Sequence, residues 1–189
     1  ITDAAFTHIL NFIKLNMTEK EIALELEFFM RRNGAERTSF DTIAVSGTAS
    51  SMPHGVPRDQ KLERGFLTMD FGCVVDGYCS DMTRTIVIGK ASEKQKKIYQ
   101  LVLDAQTAVL DMLKAGYQGC EIDKVARDVI ASAGYGKYFG HGLGHGVGLY
   151  IHEEPRLSST CNQIIQAGMV ETVEPGVYIK DFGGVRIED

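Results

Sequence analysis

An Asp-Gly dipeptide between two runs of β-forming residues limits the fold of this 189-residue sequence more than any other feature. Asp76-Gly77 predicts a two-residue turn, which fixes the register of the strands on either side of it. In that register Asp70 faces Thr83, and Gly72 faces Asp81 and is expected to leave open space beside it. Because opposite residues share a face, the two aspartates are diagonal neighbours with Cβ atoms no more than about 7–8 Å apart.

The two faces of this predicted hairpin differ in polarity. One carries the aspartates and several threonines and is polar at the end far from the turn. The other is apolar and is expected to pack on a core, through Leu67, Met69, Phe71, Cys73 and Val75. Two carboxylates on one face suit a dinuclear metal site, whose ions lie about 3.5–4 Å apart. A solvated sheet face with two unrelated aspartates stays open as the alternative.

Helical patterns precede and follow the hairpin. Thr18-Glu19-Lys20-Glu21 and Ser92-Glu93-Lys94-Gln95 each predict a capping box at the start of a helix. Helix pairs followed by hairpin-like strand groups occur twice, which favours an α+β fold with an antiparallel sheet and an internal duplication. Four helices are predicted. The first is already under way at the start of the sequence, with apolar residues at positions 6, 9, 10 and 13, and the others cover about residues 18–34, 92–116 and 121–133.

Glycine occupies every even position over residues 140–148. As an extended strand, this segment presents one bare face and one that carries His141 and His145. His152 then lies on the opposite face unless the chain bends after Leu149. Glycine weakens a strand interior, so the pattern indicates close approach by a ligand or another chain segment. A flexible glycine loop is the alternative, and each histidine alone is weak evidence for a site.

Composition excludes several classes of function. A net charge of -5 leaves no basic footprint for nucleic acid. No apolar run approaches the roughly 18 residues that a membrane-spanning helix needs, and the start has no signal-peptide pattern. The four cysteines form no CxxC pair, which favours reduced thiols and a cytoplasmic protein over a zinc finger. We therefore expect neither a nucleic-acid nor a membrane partner.

Four spaced motifs make the chain resemble a known family. They are MDFGCVVDGYCSDMTRT, HGLGHGVGL with HEEP, VEPGVY, and VRIED. In this order they resemble the pita-bread metallopeptidases, and within them the Xaa-Pro aminopeptidases and Xaa-Pro dipeptidases (prolidases). The resemblance implies an α+β pita-bread fold, with an antiparallel sheet, flanking helices and an internal pseudo-duplication. It also implies that residues 1–189 are a single catalytic domain, truncated at both ends, without the family's N-terminal domain and final strand.

The resemblance also implies a role for particular side chains. It implies five metal ligands, which are Asp70, Asp81, His145, Glu174 and Glu188. Glu174 would also take a proton from the attacking water, as one of the catalytic residues. The other catalytic residues would be His54 in the Met52-Pro53-His54-Gly55 stretch, His141 and His152. These three histidines and Arg186 would bind substrate. The oxygen-rich ligand set suits two Mn²⁺ ions, with Co²⁺ and Zn²⁺ as alternatives.

The implied activity is that of a metal-dependent aminopeptidase acting next to proline. It would hydrolyse the bond between an N-terminal residue and a following proline by means of a metal-activated water. A methionine aminopeptidase, which shares the fold and the ligands, is the first alternative. A non-catalytic peptide-binding module of the same fold is the second. The resemblance adds a homodimer as an expectation, and leaves open whether the substrate is a dipeptide or a longer peptide. Glu171 stands where an apolar residue is expected and has no explanation from sequence.

Overall fold

The computed structural model describes all 189 residues and alternates helix pairs with groups of short strands. None of its helices has the length and apolar character needed to cross a membrane. The helices are α1 (Thr2–Phe12), α2 (Glu19–Arg32), α3 (Glu93–Met112) and α4 (Gly119–Ser132). The strands are β1 (Arg37–Thr38), β2 (Ile43–Ser46), β3 (Gly65–Phe71), β4 (Cys73–Val75), β5 (Tyr78–Cys79), β6 (Met82–Ile88), β7 (Gly144–Gly146), β8 (Glu153–Leu157), β9 (Gly176–Ile179) and β10 (Gly183–Arg186).

The four predicted helices are all present, with different bounds at some ends. The Thr18 side chain caps α2 by accepting a hydrogen bond from the Glu21 N–H, and the equivalent box at Ser92 begins α3. Helix α1 begins at Thr2, in agreement with a helical pattern that is already present where the sequence starts. Helix α4 begins two residues earlier than predicted because the Glu121 side chain reaches back to the N–H of Gln118. Glutamine is an uncommon N-cap residue, so the sequence pattern did not show this start.

The two helix pairs are copies of one arrangement. The interval of 100 residues that separates Arg32 from Ser132, at the ends of α2 and α4, also separates Phe12 from Met112. The N-cap residues of α2 and α4 each form an isolated β-bridge, Thr18 with Lys61 and Gln118 with Ile164. Each pair covers its own apolar core, and the core under the second pair also includes Phe66 of β3. The predicted duplication is therefore confirmed.

The hairpin has the predicted register but is divided between two sheets. Asp70 pairs with Thr83 in the sheet β2-β3-β6, whereas the turn end belongs to the sheet β1-β4-β5. The division falls at Gly72, where an added Cβ would lie 1.9 Å from the Ser80 carbonyl oxygen. The expectation of open space beside Gly72 is wrong, because that glycine admits close approach of the partner strand's backbone. Ser39 bridges the two hairpin strands at this division. Its N–H donates to the Gly72 carbonyl oxygen and its hydroxyl donates to the Ser80 carbonyl oxygen.

Both faces of the hairpin are covered. The predicted core face packs under α1 and α2, except Val75, which lies beyond the division and is 38% exposed. The polar face lies against β10, where Thr68 donates to the Gly184 oxygen at 3.3 Å and Thr85 to the Arg186 oxygen at 2.9 Å. The alternative of a solvated polar face is therefore wrong. The aspartates lie instead between the two halves of the molecule.

The glycine-alternating segment forms a much shorter strand than predicted. Only Gly144–Gly146 is extended, as β7, and it pairs with β8 through a bulge after His145. An added Cβ on Gly144 would lie 1.9 Å from the Thr172 oxygen, so the predicted close approach by another chain segment is confirmed. The remaining glycines lie in loops because they bring no side chains that could hold a longer strand against its neighbours.

Candidate metal centre

The nine predicted site residues all lie on the wall of one cavity of about 720 Å³ between the two halves. Two come from the hairpin of the first half, since Asp70 lies in β3 and Asp81 immediately precedes β6. The second half contributes His145, which lies in β7, and also Glu174 and Glu188, which lie beside the β9–β10 hairpin. The residues brought together are His54, Asp70, Asp81, His141, His145, His152, Glu174, Arg186 and Glu188.

His145 lies at the centre of the carboxylates. Its Nε2 is 3.3 Å from Glu174 Oε1 and 3.6 Å from Asp81 Oδ2. Its Nδ1 is 3.0 Å from the Gly146 carbonyl oxygen. Because a carbonyl only accepts, Nδ1 is a donor, and Nε2 is the ring nitrogen that faces the carboxylates, from where a histidine of this orientation can bind a metal ion. Donor atoms of Asp81, His145 and Glu188 all lie within 4.8 Å of one another.

Two threonines hold the carboxylates in place. The Thr83 hydroxyl donates to Glu188 Oε2 at 2.6 Å, and the backbone N–H of Glu188 donates to the backbone carbonyl oxygen of Thr83. The Thr172 hydroxyl accepts from the His145 N–H at 3.1 Å and donates to Glu174 Oε1 at 3.2 Å. Each threonine thus links a glutamate to the strand that carries another candidate ligand. Neither was identified from the sequence, where both read as ordinary strand residues.

The electrostatics of the cluster favour a bound cation. Burial, together with the negative charge of Asp70, raises the pKa of Asp81 to about 8. Burial and the neighbouring Glu174 raise the pKa of Glu188 well above its usual range. Asp70 Oδ1 is buried without a hydrogen-bond partner, although buried polar atoms almost always have one. Four carboxylates and one imidazole with an unpaired acceptor fit oxygen-preferring divalent ions.

Arg186 supplies the fixed positive charge beside this cluster. Its Nη2 donates to Asp70 Oδ2 at 2.5 Å and its Nε to the Thr83 hydroxyl at 2.9 Å. Its Nη1 donates to the Pro53 oxygen and to the Tyr178 hydroxyl. The guanidinium thereby orients one candidate ligand and also ties down the backbone next to His54.

Tyr178 links Arg186 to His141, and the sequence analysis did not single it out. Its hydroxyl lies 2.8 Å from His141 Nε2, while His141 Nδ1 lies 2.7 Å from the Gly142 oxygen. Nδ1 is therefore the donor, and the tyrosine O–H donates to Nε2. Burial lowers the pKa of His141 and raises that of Tyr178 to about 12, so both stay neutral. The VEPGVY motif contains Tyr178, but a strand tyrosine alone indicates only a β-former.

The chain bends after Leu149, as the sequence required if His152 was to join the site. The His152 ring is 4.5 Å from the His145 ring in an edge-to-face arrangement. Glu171, unexplained by the sequence, forms an isolated bridge with Gly146. Both of its carboxylate oxygens are buried without partners, and burial raises its pKa to about 7. Nothing in the structure explains the choice of glutamate there.

Comparison with known proteins gives matches over the whole chain. The sequence model of metallopeptidase family M24 matches residues 1–189 of the chain. A Xaa-Pro dipeptidase of Pyrococcus horikoshii is 48% identical over the whole chain and 54% of its own length. The solved Xaa-Pro dipeptidase from Bacillus anthracis has a TM-score of 0.98 and 52% identity, with 100% of this chain and 53% of that one covered.

The solved prolidase from Pyrococcus furiosus has a TM-score of 0.97 at 47% identity and covers 99% of this chain and 56% of its own. These likenesses confirm the predicted α+β pita-bread fold with an antiparallel sheet and flanking helices. The chain spans about half the length of the curated relatives it matches, as with the 54% covered in the P. horikoshii protein.

Proposed function

Because the chain belongs to metallopeptidase family M24, we propose that it hydrolyses the bond between an N-terminal residue and a following proline. The observation that carries this proposal is the meeting of four carboxylates, an imidazole and three further histidines in one cavity. These residues come from both halves of the duplicated fold. The relatives named Xaa-Pro dipeptidase and prolidase support the choice of substrate.

Membership of the family implies divalent metal ions, and we propose two Mn²⁺ ions held by the five candidate ligands. The donor set is mostly carboxylate oxygen, which suits Mn²⁺ better than a site rich in thiolates. Bound divalent ions lower the pKa of a coordinated water and polarise a scissile carbonyl. The ligands are Asp70, Asp81, His145, Glu174 and Glu188.

Glu174 is the proposed acceptor of the proton from the attacking water. Its Oε1 is oriented by the Thr172 hydroxyl, which donates a hydrogen bond to it at 3.2 Å. A carboxylate held at hydrogen-bond distance can act as a general base, an effect worth about 10²–10⁴-fold in rate. After the bond breaks, the same carboxyl group is placed to return a proton to the departing proline nitrogen.

His54 and His152 are proposed to bind the substrate and stabilise the charge that develops on the scissile oxygen. His141, whose two ring nitrogens already form hydrogen bonds within the protein, is proposed to contact the substrate through its ring carbons. Fixed donors around a developing oxyanion can contribute several kcal/mol, about 2.7–4 for one donor in a measured case. The cavity of about 720 Å³ has the size of sites that hold small ligands, which suits a short peptide.

A methionine aminopeptidase is disfavoured by the names of the relatives, which specify proline. A non-catalytic module is disfavoured because all five candidate ligand positions carry metal-binding side chains.

A peptidase assay distinguishes these three functions. It uses protein that has been stripped of metal with chelator and is measured with and without added Mn²⁺. Substrates are a Xaa-Pro dipeptide, a Xaa-Pro tripeptide and a Met-Ala peptide, and Asp81→Asn is the site control.

We expect metal-restored cleavage of proline substrates that Asp81→Asn loses. Cleavage of Met-Ala alone would transfer the chain to the methionine branch. Lack of turnover of any substrate by metal-loaded protein would contradict the proposal. The relative rates on the dipeptide and the tripeptide identify the preferred peptide length. Light scattering on the same sample tests the homodimer that the family resemblance leads us to expect.

A further inference from the structure

A partly buried ion pair on α4 lies outside the ligand cluster and next to the loop that carries His141. Asp123 and Arg127 are one helical turn apart, and the Asp123 side chain is fully buried. The pair is bidentate, with Arg127 Nε 2.5 Å from Asp123 Oδ2 and Nη2 3.0 Å from Oδ1. Such a fork geometry fixes the guanidinium in orientation as well as in position.

Both partners bind backbone groups in residues 139–143. Arg127 Nη1 donates to the Phe139 oxygen at 3.1 Å, and Nη2 donates to the oxygen of His141 itself. Asp123 Oδ1 accepts from the N–H of Leu143 at 3.0 Å. One ion pair therefore holds three backbone groups, which are the carbonyl oxygens of Phe139 and His141 and the N–H of Leu143.

The side chains continue this connection towards the cavity. The Arg127 guanidinium lies 4.4 Å from the Phe139 ring centroid. The Phe139 ring meets the His141 ring edge to face at 5.2 Å. The His141 ring in turn reaches the Tyr178 hydroxyl and the cavity wall. A continuous series of contacts thus runs from α4 to the substrate side of the site.

Apart from this ion pair, one backbone hydrogen bond holds each end of residues 139–143, from the Phe139 N–H to the Gly136 oxygen and from the Glu174 N–H to the Leu143 oxygen. His141 lies between two glycines, and an added Cβ on Gly140 would meet nothing within 4 Å. Glycine gives the backbone wide conformational freedom, so a loop of this composition needs outside contacts to hold one conformation. Strand pairing cannot supply them, because β7 begins only at Gly144.

A comparison of the two halves shows that the ion pair is not needed simply to pack the helix on its core. At the interval of 100 residues that relates the two halves, the positions of Asp123 and Arg127 correspond to Ala23 and Glu27 in α2. The first half has no ion pair at these two helix positions, and the buried carboxylate of α2, Glu19, pairs instead with Arg58 outside the helix. The pair is thus present only in the half whose loop carries His141.

We propose that Asp123 and Arg127 are positioning residues that fix the His141 ring in the cavity for substrate binding. The assignment rests on the proposed function, since it assumes that His141 contacts the peptide. Arginine is required because its planar fork donates to the carboxylate and to two carbonyl oxygens at once. A lysine ammonium keeps the charge but cannot reproduce that geometry.

The test is a double-mutant cycle with Arg127→Lys and His141→Ala, measured as kcat/KM on a Xaa-Pro peptide with Mn²⁺. Arg127→Lys is expected to lower kcat/KM about tenfold or more, because small misplacements of binding groups are costly. In the His141→Ala background it should change kcat/KM by less than about twofold, as for residues that act through one another. Lys124→Gln is the control, since Lys124 forms an exposed pair with Asp128 on the same helix. Equal losses in both backgrounds would overturn the proposal.

A second readout does not depend on activity. In metal-free protein, ¹⁵N NMR of the His141 ring should show one Nδ1-protonated tautomer, and Arg127→Lys should broaden or shift it while Lys124→Gln leaves it unchanged. An unaltered His141 signal in Arg127→Lys would overturn the assignment even in a protein with no peptidase activity. If Arg127→Lys does not fold, as judged by circular dichroism, Asp123→Asn replaces it in both arms. Asparagine keeps the acceptor for Leu143 but weakens the hold on the guanidinium.

Discussion

Tyr178 connects the Arg186 guanidinium to His141 through hydrogen bonds of its hydroxyl group. Its hydroxyl accepts from Arg186 and donates to His141 Nε2. Tyr178→Phe leaves a buried imidazole nitrogen without a donor, a loss worth roughly 1–3 kcal/mol. We expect kcat/KM on a Xaa-Pro peptide to fall about tenfold or more, with metal affinity unchanged. Tyr99→Phe on α3, outside the cavity, is the control, and equal kinetics for the two variants would contradict the role of Tyr178.

Glu19 is a buried carboxylate whose partners hold the segment that contains His54. It accepts from the Ser46 N–H at 2.7 Å and from Arg58 Nη2 at 2.6 Å, and Arg58 Nε adds a third bond. Burial alone would raise the pKa of Glu19, but the hydrogen bonds from Arg58 and Ser46 outweigh it and lower that pKa. A lowered carboxyl pKa stabilises the fold above the unfolded-state pKa, and that stability is lost as pH falls through the folded-state pKa.

Glu19→Gln should therefore be destabilising at neutral pH and nearly neutral in acid. We expect a loss of about 2–3 kcal/mol at pH 7, below the 3–5 typical of a fully buried pair because Arg58 is partly exposed. The difference from wild type should shrink below about pH 4.5, the range in which an unshifted glutamate titrates. Urea unfolding of chelator-treated protein at several pH values measures it, with Glu27→Gln as the control. A difference that is constant with pH would contradict the assigned cause.

At the scale of a residue, the sequence identified side chains that carry chemistry better than those that hold them. Resemblance gave nine positions, and all nine line the cavity, although their roles as ligands and catalysts stay predictions. Thr83, Thr172 and Tyr178 were not identified, because a hydroxyl in a strand pattern gives no sign of its partner. Each of the three has at least one partner that is distant in the chain, as with Thr83 and Glu188 at a separation of 105 residues.

Among the elements, β7 depends most on glycine. An alanine Cβ at position 144 would lie 1.9 Å from the Thr172 carbonyl oxygen, so the two segments must separate. That movement would carry His145 away from Glu174, which follows Thr172 in the other segment. We expect Gly144→Ala to lower kcat/KM about 100-fold, the scale of a misplacement of about 1 Å.

Gly140→Ala tests the same substitution where the structure has room for it. An added Cβ at Gly140 meets nothing within 4 Å, so activity and melting temperature should stay close to wild type. Comparable losses in both variants would show that glycine flexibility, and not the close approach of backbone at Gly144, is what the segment requires. Metal titration of each apo variant separates a displaced ligand from a general loss of folding.

Element boundaries followed from sequence where a local signal decided them. The capping boxes at Thr18 and Ser92 and the turn at Asp76-Gly77 involve only neighbouring residues, and the structure has all three. The strand predicted over residues 140–149 shrank to three residues, because its length depends on contacts with segments far along the chain. The division of the hairpin at Gly72 was missed for the same reason.

On the scale of the whole molecule, the candidate site lies where the two halves meet. The hairpin of the first half contributes Asp70 and Asp81, and the second half contributes the remaining three candidate ligands. Sequence order predicted the duplication, but it could not place one half against the other. That placement depends on hydroxyl-to-backbone contacts such as Thr85 with the Arg186 oxygen.

A site shared between halves makes metal a link between them as well as a reagent. Without a cation, the buried carboxylates repel one another across the contact between the halves, and a ligand that binds only the folded state stabilises it by RT ln(1 + [L]/Kd). We expect Mn²⁺ at 100 times its Kd to raise the free energy of unfolding by about 2.7 kcal/mol. Asp81→Asn should lose most of that gain, because its own carboxylate is a candidate ligand.

Asp76→Asn is the matched control, since it removes an aspartate from the same hairpin and keeps a dipeptide that suits the turn. Thermal unfolding of each protein, monitored by circular dichroism over a Mn²⁺ series, measures the effect. Wild type and Asp76→Asn should show the same rise in Tm with metal, and Asp81→Asn a much smaller one. If Asp81→Asn matched the other two, the ions would be binding elsewhere, and the junction between the halves would be held by protein contacts alone.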